Sequence, residues 1–257
     1  MAETWTGRYI GIVALLVIFF FFATASWALQ PEGPETQKPL TRGFHRLEFA
    51  PDNGVSLRCS LWVPPLEDGS PVPLVVALHY GGEVTPYYSM GFIRALVVPG
   101  LKTLGAVIVA PDCPGNGWTD EASERAVLAL LDYAVRSWPV DRHRIVVTGY
   151  SLGGIGTWFF AARHPEIFSA AVPIAGRPVA DGELRVPVYA IHGRRDEVIG
   201  VEPTRRAIDA LRAEGVDAQL VIVKGPTHYE TRRFAGPLEG AVEWLQGIWN
   251  TSPQSSR

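Results

Sequence analysis

Between Arg144 and Arg163 the chain changes its hydrophobic period, and five residues at the changeover constrain everything around them. Arg144-Ile145-Val146-Val147-Thr148 is a short β-branched run, the pattern of a buried strand. Residues 154–163 carry apolar side chains at helical spacing and stop at His164-Pro165, where proline cannot continue a helix. Between the two stands Gly149-Tyr150-Ser151-Leu152-Gly153. A G-x-S-x-G pentapeptide joining strand to helix reads as an elbow that lifts the serine hydroxyl above a sheet, at a helix N-terminus. The flanking glycines are expected to give the backbone its freedom to turn. A plain glycine-rich turn with an N-cap serine would look the same locally, so the downstream sequence must decide.

The rest of the chain supplies a setting for that elbow. Continuous apolar runs at 73–79, 106–110, 170–173, 186–191 and 218–223 predict buried strands. Residues 45–50 and 55–63, around the turn sequence Pro51-Asp52-Asn53-Gly54, predict a starting antiparallel pair. Helical patterns fall between the strands, at about 90–104, 122–137, 152–163, 203–213 and 237–249. Such alternation predicts an α/β fold with a mostly parallel sheet covered on both faces. A length of 257 residues suits one such domain, expected over 42–250. Net charge is -3, so no basic excess points to nucleic acid as a partner.

The N-terminus has another character. Arg8 precedes an apolar run from Ile10 to Ala23 that includes Phe19 to Phe22. Small residues follow, in Ala23-Thr24-Ala25 and Ser26-Trp27-Ala28, as before a signal-peptidase cut. Residues 1–28 are expected to be a signal peptide, or else an uncleaved anchor, since 9–29 reach the roughly 20 residues of a bilayer span. Residues 29–41 read as a proline-rich tether and 251–257 as a flexible tail. Both readings place the folded part outside the cytoplasm, secreted, periplasmic or membrane-tethered. Cys59 and Cys113 could pair in an oxidising compartment or remain free thiols. No CxxC or HExxH spacing suggests a metal.

A serine hydroxyl needs a base within hydrogen-bond reach, and that base needs an acid to orient it. With this elbow the chain order is serine, acid, histidine. Asp196 follows the predicted strand 186–191, on the edge where parallel sheets hold their sites. Glu197 is the fallback, while Asp181, Asp209 and Asp217 fit turns or helix surfaces better. His228, after the strand 218–223, is the sole histidine beyond Asp196. His164 lies at the far end of the helix that Ser151 begins, about 20 Å away, and cannot be the base. His192 is expected to shape the turn before Asp196. Two backbone donors should face the developing oxyanion, namely the Leu152 amide and Gly81 in His79-Tyr80-Gly81-Gly82.

Together, His79-Tyr80-Gly81-Gly82, Gly149-Tyr150-Ser151-Leu152-Gly153-Gly154, His192-Gly193 with Asp196, and His228 resemble the α/β-hydrolase superfamily. The closer likeness is to small esterases of the phospholipase/carboxylesterase, dienelactone hydrolase and predicted-peptidase branches. The segment 149–177, with Gly156-Thr157-Trp158 and His164-Pro165-Glu166, is similar to the last of these, and the likeness covers roughly 45–249. Tyr80 departs from it, because such families usually carry glycine directly after the histidine. The resemblance implies an exported serine hydrolase, a carboxylesterase before a peptidase, polyester depolymerase or acyltransferase. It needs neither metal nor organic cofactor and takes a small or polymeric ester. From another class, the fold could serve as a silent surface binding module.

Only about ten residues separate Ala175 from Val186, too few for a helical cap, so the site is expected to be open. Tyr87, Tyr88 and Trp118 lie in loops at the same edge and are expected to line a substrate subsite, whereas Trp158 is expected in the core.

Overall fold

A computed structural model describes residues 41–50, 56–66, 70–179 and 182–251. The N-terminal run, the turn 51–54, Asp181 and residues 252–257 lie outside the described residues. The described residues all belong to one unit, Pro39–Arg257.

Among the described residues, eight strands form a single sheet in the order β1-β2-β4-β3-β5-β6-β7-β8. β1 (Gly43–Phe49) and β2 (Leu57–Val63) are the antiparallel pair expected from the sequence, and β2 also runs antiparallel to β4 (Val107–Pro111). β3 (Val72–Leu78), β4, β5 (Val140–Tyr150), β6 (Ala170–Ile174), β7 (Val188–Gly193) and β8 (Ala218–Val223) are mutually parallel.

Helices cover both faces, and β3 shows why its sequence is apolar without a break. Leu74, Val76 and Leu78 enter one buried cluster, with side chains from α3 (Glu121–Ser137), α4 (Leu152–Arg163) and α5 (Glu202–Ala213). Val75 and Ala77 enter the other, with side chains from α1 (Tyr88–Phe92), α2 (Val98–Leu101) and α6 (Ala235–Thr251). Alternate side chains of a strand point to opposite faces, so a strand sandwiched between helices must be apolar throughout. Trp158 is 2% exposed and lies in the first cluster, as expected.

Two elements differ from the sequence reading. The helix expected at 90–104 is broken into α1, a π-helical segment Ile93–Val97, α2 and a 3-10 turn Lys102–Leu104. Pro99 has no N–H to give the carbonyl four residues back, at Ala95 inside the π segment, and hydrophobic period alone does not register that. β5 starts at Val140 rather than Arg144, because Val140 pairs with Val72 of β3 across a register shift. Its polar start, where Asp141 binds Arg144, hid the strand from an apolar criterion.

No helix occurs between Ala175 and Pro187 among the described residues, so no large cap covers the carboxyl edge of the sheet. Among the described residues, no helix is long and apolar enough to cross a membrane. Cys59 and Cys113 are free, buried thiols.

Candidate active site

The elbow is built by steric clearance beneath a strained serine. Ser151 itself adopts φ 56, ψ -113, while neither Gly149 nor Gly153 has a positive φ. The glycines therefore serve another purpose than the turning freedom expected from the sequence. A Cβ on Gly153 would strike the main chain of Leu78 and His79, and one on Gly149 would strike Gly153 and Leu78. They let α4 start hard against β3. A non-glycine residue in such a conformation costs about 1–3 kcal/mol, met here by bonds on both sides of Ser151. Its N–H donates to the Ile174 carbonyl at 2.9 Å, and its carbonyl accepts from the Ile155 N–H at 2.9 Å.

Ser151 follows β5, Asp196 follows β7 and His228 follows β8, all at the carboxyl ends of parallel strands. The sheet brings the three together. His228 Nδ1 is 2.8 Å from Asp196 Oδ2, and His228 Nε2 is 2.7 Å from Ser151 Oγ. A carboxylate only accepts, so Nδ1 carries the proton and Nε2 is left to accept from the serine hydroxyl. The Asp196 side chain is 1% exposed. Its other oxygen accepts from the Val198 N–H at 3.0 Å and the Ile199 N–H at 2.7 Å, which fixes the carboxylate plane.

The alternatives considered in the sequence are engaged elsewhere. Glu197 Oε2 accepts from the His228 main-chain N–H at 3.3 Å and does not meet the imidazole. Asp209 faces Arg212, Asp217 accepts from the Trp244 indole, and His164 pairs with Glu124. His192 is fully buried behind Asp196. Its Nε2–H donates to the Ile199 carbonyl at 2.7 Å and stands 3.5 Å from Asp196 Oδ2, closing the loop that carries Asp196. Burial holds its pKa below the ordinary histidine value.

On the opposite side of Ser151, the Leu152 N–H is the first of α4, where a helix has no internal acceptor to offer. Gly81 lies alongside, and a Cβ on it would stand 3.7 Å from Leu152 Cδ2. His79 sets the peptide that carries the Gly81 N–H. Its Nε2 accepts from the Cys113 N–H at 3.0 Å, so its Nδ1 bears the proton and donates to the Tyr80 carbonyl at 2.7 Å. In a trans peptide the N–H points opposite to its C=O, so Gly81 N–H is turned away from His79. Burial pushes the His79 pKa down and keeps the ring neutral.

Of the three aromatic residues expected to line a substrate subsite, Trp118 requires correction. It is fully buried, and its indole N–H donates to the His79 carbonyl at 2.8 Å, so it supports the Gly81 loop from beneath. Its loop position concealed this, because the indole packs against Gly156 of α4, a contact no local pattern encodes. Tyr88 stays at the site, its hydroxyl 3.4 Å from the Gly81 carbonyl and its ring against His79 and Tyr80. Tyr87 has a left-handed backbone, φ 61, and places its ring under Arg46 of β1.

The sequence reading missed a groove along the segment that follows His228. A cavity of about 540 Å³ is lined by Tyr80, Tyr229, Glu230, Arg232 and Arg233 among others. A second, of about 460 Å³, shares Arg232 and adds Arg94. Arg233 pairs with Glu230, whereas Arg94 lies over the Phe44 ring, and neither Arg94 nor Arg232 meets a carboxylate among the described residues. Tyr229 is 78% exposed, and its place directly after His228 was the one available signal.

Known proteins resemble this chain over part of its length. The profile of the dienelactone hydrolase family matches residues 106–235, just over half of the chain. The chain belongs to that family. Its fold is the α/β-hydrolase fold, as a solved thermostable esterase illustrates, with TM-score 0.69, 25% identity, and coverage of 79% of this chain and 62% of that one. A protein of Salmonella typhimurium bearing the name carboxymethylenebutenolidase is 32% identical over 130 residues, 44% of this chain and 47% of that protein. Acetylxylan esterase A of Emericella nidulans is 28% identical over 140 residues, 49% of this chain and 44% of that protein. The match thus spans a little under half the length of each of these two relatives. Within the family profile fall Ser151, Leu152, Asp196 and His228, while the Gly81 loop lies outside it.

Proposed function

We propose that this family member is an exported serine hydrolase that cleaves carboxylic esters. The observation that carries the reading is the unbroken hydrogen-bond chain from Ser151 Oγ through His228 to Asp196, at 2.7 and 2.8 Å. In the proposed reaction Ser151 Oγ attacks the ester carbonyl while His228 Nε2 takes its proton. Asp196 holds the imidazole by Nδ1 and balances the charge it gains. The carbonyl oxygen becomes an oxyanion facing the N–H groups of Leu152 and Gly81. His228 then protonates the leaving alcohol, giving an acyl-serine. A water that loses its proton to His228 attacks the acyl carbon, and the acid leaves as Ser151 is restored.

The substrate is an ester that reaches an open edge, with Tyr88 shaping the oxyanion side. Arg94 and Arg232 favour one whose acyl or alcohol part carries an acidic group. Export rests on the apolar run from Ile10 to Ala23. A fluorophosphonate probe tests the centre directly: folded protein should be labelled at Ser151, and absence of labelling returns the chain to a binding role. A panel of p-nitrophenyl esters with and without a free carboxylate, beside aminoacyl anilides, tests the substrate. Faster anilide cleavage would make it a peptidase.

A further inference from the structure

The base of this site sits on a loop, between the end of β8 at Val223 and a 3-10 turn at Thr231. A loop imidazole is only as well aimed as its own main chain, and that main chain is held at both ends of the residue. The His228 carbonyl accepts from the Tyr150 hydroxyl at 2.7 Å. The His228 N–H donates to Glu197 Oε2 at 3.3 Å. Tyr150 is the residue before Ser151, and Glu197 is the residue after Asp196. The imidazole's two partners are thus covalently next to the two groups that hold its backbone.

The geometry points to Tyr150 and Glu197 as positioning residues that aim the His228 imidazole at Ser151 and Asp196 by clamping the main chain of residue 228. The inference rests on the proposed roles of those three residues. Because each clamp moves with one partner, any shift of the elbow or of the acid loop carries the base with it, so the 2.7 and 2.8 Å bonds survive small movements. The two clamps differ in strength. Tyr150 is 1% exposed, with its ring against His228 and Phe234. Burial, with Asp196 close by, raises its pKa well above the phenol value, so its hydroxyl stays a donor. Glu197 is exposed and its bond is longer, so its share is smaller.

Tyr150→Phe removes one oxygen and keeps the ring. A misplacement approaching an ångström at a reacting group costs about 10²-fold, so kcat should fall by roughly 10- to 100-fold with KM unchanged. The fluorophosphonate labelling rate should fall in parallel, and the low-field proton resonance of His228 Nδ1–H should broaden or shift. Unchanged kcat and an unchanged resonance overturn the inference. In a His228→Ala background with added imidazole, Tyr150→Phe should have no further effect, because a free imidazole needs no loop to aim it. An equal loss of the rescued rate would mean that the hydroxyl acts on Ser151 or on the fold, and would also overturn it.

For Glu197, alanine should lower kcat a few-fold and glutamine should restore it, since an amide oxygen still accepts from the His228 N–H. Glutamine as damaging as alanine would make the carboxylate charge the operative property and remove Glu197 from this role. If wild-type protein takes no label at Ser151, the hydrolase reading fails instead. The Nδ1–H resonance of Tyr150→Phe still reports whether the clamp exists.

Discussion

The two sides of Ser151 are built from different materials. Toward His228 and Asp196, the site is made of side chains that meet end to end, each on its own loop. Toward Leu152 and Gly81 it is made of main chain, whose direction is set by buried neighbours: His79 on the Tyr80 carbonyl, Trp118 on the His79 carbonyl and Tyr88 on the Gly81 carbonyl. A single truncation can delete the first side. The second has no side chain to delete and fails only when its supports shift.

Replacing the hydroxyl itself should produce the largest effect. Ser151→Ala should abolish ester turnover and fluorophosphonate labelling while circular dichroism stays native, and retained turnover would move the nucleophile elsewhere. Asp196→Asn comes next, with kcat lowered by about 10⁴ by analogy with the serine-protease triad. A loss of only a few-fold would show that the side-chain side depends little on its acid.

The main-chain side should respond more mildly. His79→Ala frees the Tyr80 carbonyl and lets the Gly81 peptide rotate, so kcat should drop by roughly 10²-fold, the scale of one lost oxyanion donor, with KM nearly constant. A drop as large as that of Asp196→Asn would erase the contrast between the two sides. Trp118→Phe leaves the His79 carbonyl without its donor and should cost about 1–3 kcal/mol in urea unfolding. Its ester KM should not change, and a raised KM would return Trp118 to the substrate subsite.

The smallest effect is on stability against pH. His79 and His192 are buried with folded pKa values held below the ordinary one, so the unfolded chain binds more protons as the pH falls through about 6.5. Stability is therefore complete above that pH and is lost as the pH drops toward the depressed folded values. Tm should decline between pH 7 and 5, and a His79→Asn or His192→Asn variant should show a flatter decline. Equal slopes in wild type and both variants would mean that neither ring is kept neutral in the fold.

The same contrast explains which parts of the molecule could be read in the chain. Ser151, Asp196 and His228 were each singled out from residue type, chain order and position after a strand, because side-chain chemistry is written directly in residue identity. Leu152 and Gly81 were reachable through the motifs they sit in. Trp118 is not legible as a buried support, because its loop placement says nothing of the indole's direction. Arg94 and Arg232 give no joint signal in the chain, because they come from a π-helical segment and a 3-10 turn far apart in it, and line one cavity only in the fold. Tyr150 and Glu197 gave no signal of a joint task, since one belongs to the end of β5 and the other to the loop after β7.

By itself the amino-acid order determined the parallel sheet, through unbroken apolar runs that only a strand covered on both faces can bury. It also determined the elbow, through glycines placed where α4 must touch β3. Tertiary structure alone decided which aromatic faces inward and how the main chain of His228 is held. Those outcomes depend on distances of under 4 Å between groups dozens of residues apart, and a linear pattern carries no record of which distant groups will share a partner.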